Sequence, residues 1–141
     1  MLQHFGINPI VRILSAHRTP AQAMEFASKA KDNGVKVIIA AAGMAAHLAG
    51  AMAAHSTLPI IGVPLQAAEG PNGLDALLST VQMPPGMPVA AMAIGKAGAK
   101  NAAVFAVQIL SLSDNELAAK LDKFRAEQTQ NVLRKDAELN K

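Results

Sequence analysis

Ser15, His17 and Arg18 fall within four residues of one another in the run Ser15-Ala16-His17-Arg18-Thr19-Pro20, directly after an apolar stretch at 10–14. Those residue types suit proton transfer beside an anion. An imidazole moves protons near neutral pH, a guanidinium can grip a carboxylate or phosphate with two hydrogen bonds, and the free amides of a helix start favour negative charge. Taken alone, the same run more often reads as a capped, solvated loop in which Ser15 satisfies a backbone group.

A second imidazole, His47, lies in Ala42-Gly43-Met44-Ala45-Ala46-His47-Leu48-Ala49-Gly50. Small residues there would let backbone approach a ligand, although His47 reads equally well as a packed, hydrogen-bonded ring. His4 and His55 read as surface residues, and Lys96 and Lys100 as cations solvating a helix start. Gly95-Lys96-Ala97-Gly98 lacks the glycine spacing of a P-loop. No two histidines stand four apart with a carboxylate nearby, so no metal is expected.

Side chains of this kind collect beyond the carboxyl ends of the strands in an open parallel sheet. Four apolar runs, at 10–14, 35–41, 59–63 and 88–94, alternate with helical stretches, a pattern that predicts an α/β domain. The continuous β-branched character of Val35-Lys36-Val37-Ile38-Ile39 and Ile60-Ile61-Gly62-Val63 predicts strands covered by helices on both faces. Thr19-Pro20-Ala21-Gln22 reads as a capped helix start whose helix ends near Asn33-Gly34, and Ser113-Asp114-Asn115-Glu116 as the capping box of a long C-terminal helix with apolar positions Leu117, Leu121, Phe124, Val132 and Leu133. Helices are also expected over 45–55, 74–81 and 99–110. Residues 1–7 read as the last turn of a helix ending on Gly6.

The 141 residues fit one domain spanning 1–141. A hydrophobic fraction of 51% against 16% charged excludes a disordered tail. The weakly charged, alanine-rich surface points to burial between subunits, hence a homo-oligomer. The net charge of +3 comes without a basic run, and with no Trp or Tyr and 4 Phe there is little for single-stranded nucleic acid to stack on, so nucleic acid is not an expected partner. The absence of cysteine removes disulfides, thiolate metal sites and a Cys nucleophile. No signal peptide is recognisable. The longest apolar tract, 37–54, is interrupted by Gly43, His47 and Gly50, which argues for a strand plus a helix over a membrane span.

In combination these pieces resemble the class I N5-carboxyaminoimidazole ribonucleotide mutases, the phosphoribosylaminoimidazole carboxylase catalytic subunit family. Ser15 to Pro20 matches its SAHRTP motif, Gly43-Met44-Ala45-Ala46-His47-Leu48 is similar to its GGAAHL, and Gly62-Val63-Pro64, Val81-Gln82-Met83-Pro84 and Ala93-Ile94-Gly95-Lys96-Ala97-Gly98-Ala99-Lys100-Asn101-Ala102 follow in order. The resemblance implies a three-layer flavodoxin-like fold, a cytoplasmic homo-octamer and no metal or organic cofactor. It implies interconversion of N5-carboxyaminoimidazole ribonucleotide and 4-carboxy-5-aminoimidazole ribonucleotide by decarboxylation and recarboxylation, with His17 as proton shuttle. Ser15 and Arg18 would contact the ribonucleotide, and Gly43, Ala46, His47 and Leu48 would line its pocket.

The family's first strand and GSxSD loop have no counterpart in these residues, so the chain is expected to be an N-terminally truncated form, or one read from a misplaced start, with a gap between the runs at 10–14 and 35–41. Met44 replaces a glycine, Ala49 a proline and Ala76 a serine, and the loop 66–73 is one residue longer than usual. The rival expectation from another class is a truncated, non-catalytic ribonucleotide-binding or assembly form of the same fold. The carboxylase branch of the family and an unrelated flavodoxin-like receiver or cofactor domain are weaker alternatives.

Overall fold

The most strongly β-branched runs form the one long strand pair of the sheet in this computed structural model, which describes residues 1–68 and 70–140. β1 (Ile38–Gly43) and β2 (Ile60–Leu65) pair in parallel, from Ile38 opposite Ile60 to Gly43 opposite Leu65. β3 is only Ala90–Ala91, held to Ile61 and Gly62, and the strand order is β1-β2-β3. The proline-rich approach to β3 shortens it, because proline has no N–H for the ladder.

Side-chain alternation along these strands sends residues to two opposite layers. Ile38, Ala40 and Ile60 pack under α1 (Pro20–Ala30) and α2 (Leu48–His55). Ile61 and Val63 pack under Ala102 and Ala106 of α4 (Gly95–Ser111). α3 (Leu74–Val81) shares the first layer, where a Cβ on Gly62 would collide with the Thr80 methyl and lie 3.3 Å from Ala49. The expected three-layer arrangement with helices on both faces is therefore present. On the outer side of α1, the hydrogen bond between Glu25 and Lys29 (2.8 Å) holds the carboxyl below and the ammonium above its ordinary pKa; exposed pairs of this kind carry little stability.

Residues 10–14 correct the expectation of a strand. They run without regular structure, with Val11 79% and Ile13 99% exposed. A strand exists only through its pairing, and the edge of β1 on that side meets no strand among the described residues. A cleft of about 590 Å³ separates 10–14 from β1 instead.

Helix starts also differ from expectation for local reasons. α2 begins at Leu48, not at 45, because Met44 has φ 56° and His47 N–H turns back to Ala45 O (2.8 Å). Thr19 flanks α1 without capping it, since its hydroxyl is engaged with Ser15. In α5 (Asn115–Leu139) the cap is Asp114, not Ser113: one carboxylate oxygen accepts from Glu116 and Leu117 N–H, both at 3.0 Å. α4 starts at Gly95, earlier than 99, and its first turn folds tightly back onto the preceding segment.

The N-terminal turn, a 3-10 helix over Leu2–Phe5 closed by Gly6 at φ 81°, matches the expected helix end. Phe5 is buried against Val107 and Leu117, with the Phe124 ring at 5.3 Å. Beyond Phe124, α5 projects into solvent, so Val132 and Leu133 are exposed and not part of this chain's core. Among the described residues no helix is long and apolar enough to cross a membrane.

At Gly98 an added Cβ would run into the Ala93 carbonyl, a backbone atom that cannot swing away. Gly98→Ala is expected to destabilise the fold by about 3 kcal/mol, read from the urea-unfolding midpoint followed by circular dichroism; a change within experimental error would mean that α4 can slide.

Candidate functional site

A ring of hydrogen bonds between Ser15 and Thr19 shapes the first loop. Ser15 N–H donates to Thr19 Oγ1 (2.8 Å), Thr19 Oγ1 donates to Ser15 O (3.1 Å), and Thr19 N–H donates to the same carbonyl (3.0 Å). Ser15 Oγ then accepts from the N–H groups of His17 (3.3 Å) and Arg18 (3.1 Å). Ser15 thus supports the backbone, as a capped loop requires, while its hydroxyl hydrogen stays available for a ligand. Thr19 is a supporting residue that its pattern marks only as a helix cap; its separation from Ser15 by one turn is the sequence signal for the second role.

His17 projects from this loop to His47, with Nε2 of the first 2.9 Å from Nδ1 of the second. The rings meet edge to face, centroids 5.0 Å apart at 87°. One nitrogen must donate and the other accept, so a proton on both would break the contact. His47 is fixed at the start of α2, where its carbonyl accepts from Ala51 N–H (2.9 Å). The structure therefore joins two imidazoles that stand thirty positions apart in the chain.

The remaining expected pocket residues divide. Gly43 ends β1, and a Cβ there would lie 3.1 Å from Leu65 O, so the close strand contact needs a small residue. Ala46 is buried. Leu48 packs against the core under α1 and α2 and also lines the 590 Å³ cleft. Ser15, His17, Arg18, Gly43, Ala46 and His47 do not line that cleft, so these candidate residues and the cleft occupy different places.

Both His17 and His47 are exposed, as is Arg18, whose guanidinium has no ion-pair partner among the described residues. The site can therefore bind an anion and pass a proton between two rings, but this chain alone does not seal it from water. Lys96 and Lys100 are exposed on the first turns of α4, as a solvating role requires. Within the loop 66–73, Gln66 Nε2 donates to Asn72 Oδ1 (3.1 Å), and Glu69 lies outside the described residues. No group of three or more potential metal ligands converges among the described residues.

Two of the departures from the motif acquire a structural context. Met44 occupies the left-handed region at φ 56°, which costs a residue with a Cβ about 1–2 kcal/mol. Ala76 is fully buried in the packing of α3.

A family profile described as AIR carboxylase matches residues 1–131. The chain is 51% identical over 133 residues to the N5-carboxyaminoimidazole ribonucleotide mutase of Vibrio parahaemolyticus, a match covering 94% of this chain and 82% of that protein. With the mutase of Bacillus subtilis it shares 55% identity over 128 residues, 91% of this chain and 78% of the relative. The crystal structure of Treponema denticola PurE superposes with a TM-score of 0.82 at 28% identity, covering 99% of this chain and 85% of that one.

Met44→Gly should relieve the strained turn ahead of His47. After allowance for the freer unfolded chain, the expected gain is about 0.5–1 kcal/mol in urea unfolding; a loss would show that the methionine side chain contributes contacts outweighing its strain.

Proposed function

Since this chain belongs to the AIR carboxylase family, we propose that it is an isomerase that interconverts N5-carboxyaminoimidazole ribonucleotide and 4-carboxy-5-aminoimidazole ribonucleotide in de novo purine (IMP) biosynthesis. Curated relatives at about half identity carry the mutase name. The observation in this chain that carries the reading is the 2.9 Å contact between His17 and His47, beside a loop that presents Ser15 and Arg18.

The reaction asks for little more than a proton shuttle and a place to hold carbon dioxide. The carboxylate on the exocyclic nitrogen leaves as carbon dioxide, and His17 delivers a proton to that nitrogen. C4 of the imidazole then attacks the carbon dioxide, and the C4 proton returns to His17, so no proton is gained or lost overall. His47 supports this cycle through its contact with His17 Nε2, which orients the His17 ring and sets which nitrogen carries the proton. Arg18 and the Ser15 hydroxyl bind the ribonucleotide, and Gly43, Ala46 and Leu48 shape the small-residue wall next to it. These steps require no metal or organic cofactor.

Carbon dioxide must be recaptured before it escapes, which favours a closed cavity. The exposure of both rings in the single chain supports closure by neighbouring subunits. Leu74, Leu78 and Val81 form a half-exposed apolar stripe on α3, and Val132, Leu133 and Leu139 extend another along α5. Burying such stripes supports a homo-oligomer, proposed to be an octamer in the cytoplasm. A second reading, a non-catalytic ribonucleotide-binding or assembly form, is favoured by one feature: the Ser15 loop springs from residues 10–14, which lack the support of a paired strand.

Turnover of N5-carboxyaminoimidazole ribonucleotide, measured with oligomer size by light scattering, tests both. His17→Asn is expected to lower kcat by at least about 100-fold while leaving assembly intact, and retained turnover would remove His17 from its role. A wild-type chain that assembles and binds the ribonucleotide without converting it would favour the second reading.

A further inference from the structure

Met44 holds a left-handed backbone conformation, φ 56°, in which a residue with a Cβ is strained. Backbone strain of this kind clusters at segments that hold ligands. Core packing does not offset it, because Met44 is 63% exposed and joins none of the three core clusters. The residue follows Gly43, the last of β1, at the carboxyl edge of the sheet, and precedes His47 by three positions. His47 N–H closes this turn on Ala45 O (2.8 Å), so Met44 and His47 share one short, hydrogen-bonded segment.

The two loops that meet at the imidazole pair, 15–19 and 43–47, otherwise consist of Ser, Ala, His, Arg, Thr and Gly. Met44 is their one apolar side chain larger than alanine. Leu48, next along the chain, packs into the core, and the four Phe side chains are all held in the core clusters. An aminoimidazole ring lying among Ser15, Arg18 and the two histidines presents a flat aromatic face that these polar groups leave uncovered. A thioether suits such a face, being unbranched, flexible and polarisable, with a favourable sulfur contact to aromatic rings.

We propose that Met44 is a substrate-covering residue, whose thioether packs on the imidazole ring of the bound ribonucleotide beside His47 and shields the departing carbon dioxide from water. The inference rests on the mutase reading and adds to it a contact that the motif's glycine has no side chain to make. Water kept out at this point holds the carbon dioxide near C4 until it is recaptured.

Oxidative footprinting of the full chain tests the contact without requiring turnover. Dilute hydrogen peroxide transfers one oxygen to a methionine sulfur and is itself reduced to water, and the rate follows exposure. Saturating 4-carboxy-5-aminoimidazole ribonucleotide is expected to slow oxidation of Met44 about fivefold or more, read by peptide mass spectrometry. Met87, 41% exposed ahead of β3, serves as the reference that stays unchanged. In turnover of N5-carboxyaminoimidazole ribonucleotide, Met44→Gly should raise KM about tenfold and release a larger share of turnovers as the non-carboxylated ribonucleotide. Met44→Leu keeps both the strain and the apolar bulk, and should restore KM to within about threefold of wild type; a purely structural role would leave KM and the released share unmoved in both variants.

Unprotected Met44 in a chain that binds the ribonucleotide would overturn the proposal, as would a wild-type KM and released share in Met44→Gly. Protection of Met44 already complete in the ligand-free protein would overturn it too, assigning the side chain to a subunit contact. Those outcomes leave the mutase reading intact, whereas a wild-type chain that neither binds nor converts the ribonucleotide would overturn both.

Discussion

Backbone polar groups inside a protein must find partners, and the single long ladder between β1 and β2 sets how the rest of this chain meets that requirement. The ladder runs from Ile38 opposite Ile60 to Gly43 opposite Leu65. Its side-chain alternation assigns α1, α2 and α3 to one face and α4 to the other. Its carboxyl end delivers Gly43 and Met44 to the turn that carries His47. Its free edge leaves the cleft, and the lack of strand structure in 10–14 follows from the same cause.

His17 and His47 meet across two loops that the ladder holds only from one side. His47 stands on a helix packed into the core, whereas His17 depends on the local hydrogen-bond ring of Ser15 and Thr19. That ring positions the His17 and Arg18 backbone without help from a neighbouring strand. In the turn before His47, Met44 takes a conformation better suited to glycine. A loop can be ordered by short-range hydrogen bonds even where the sheet next to it is open.

Much apolar surface remains outside the core of the single chain. The stripe on α3, the distal half of α5 and the side chains of 10–14 are separate surfaces with different physical characters. The two helical stripes present side chains alone and suit helix-on-helix burial between subunits. The cleft also presents unpaired backbone, which side-chain packing alone cannot satisfy. α5 itself, roughly 37 Å long by its helical rise, holds to the domain through Leu117, Leu121 and Phe124 near its start.

Residue types and short spacings by themselves determine much of this protein. The strands at β1 and β2, the bounds of α3, the closing turn at Gly6 and the grouping of Ser15, His17 and Arg18 all follow from local pattern, because β-branching, helix periodicity and glycine conformations act over a few residues. The combined motifs identify the family for the same reason. Local hydrogen bonds chose between the residues of each capping motif, with Thr19 drawn away to Ser15 and Asp114 taking the place expected of Ser113, whereas tertiary structure decided the long-range contacts. It alone brought His17 within hydrogen-bonding distance of His47, and left Val132 and Leu133 in solvent. Most sharply, 10–14 has the composition of a strand and is not one. Strand character is completed by a neighbour's backbone, and a neighbour is a property of the folded arrangement, not of the residues themselves.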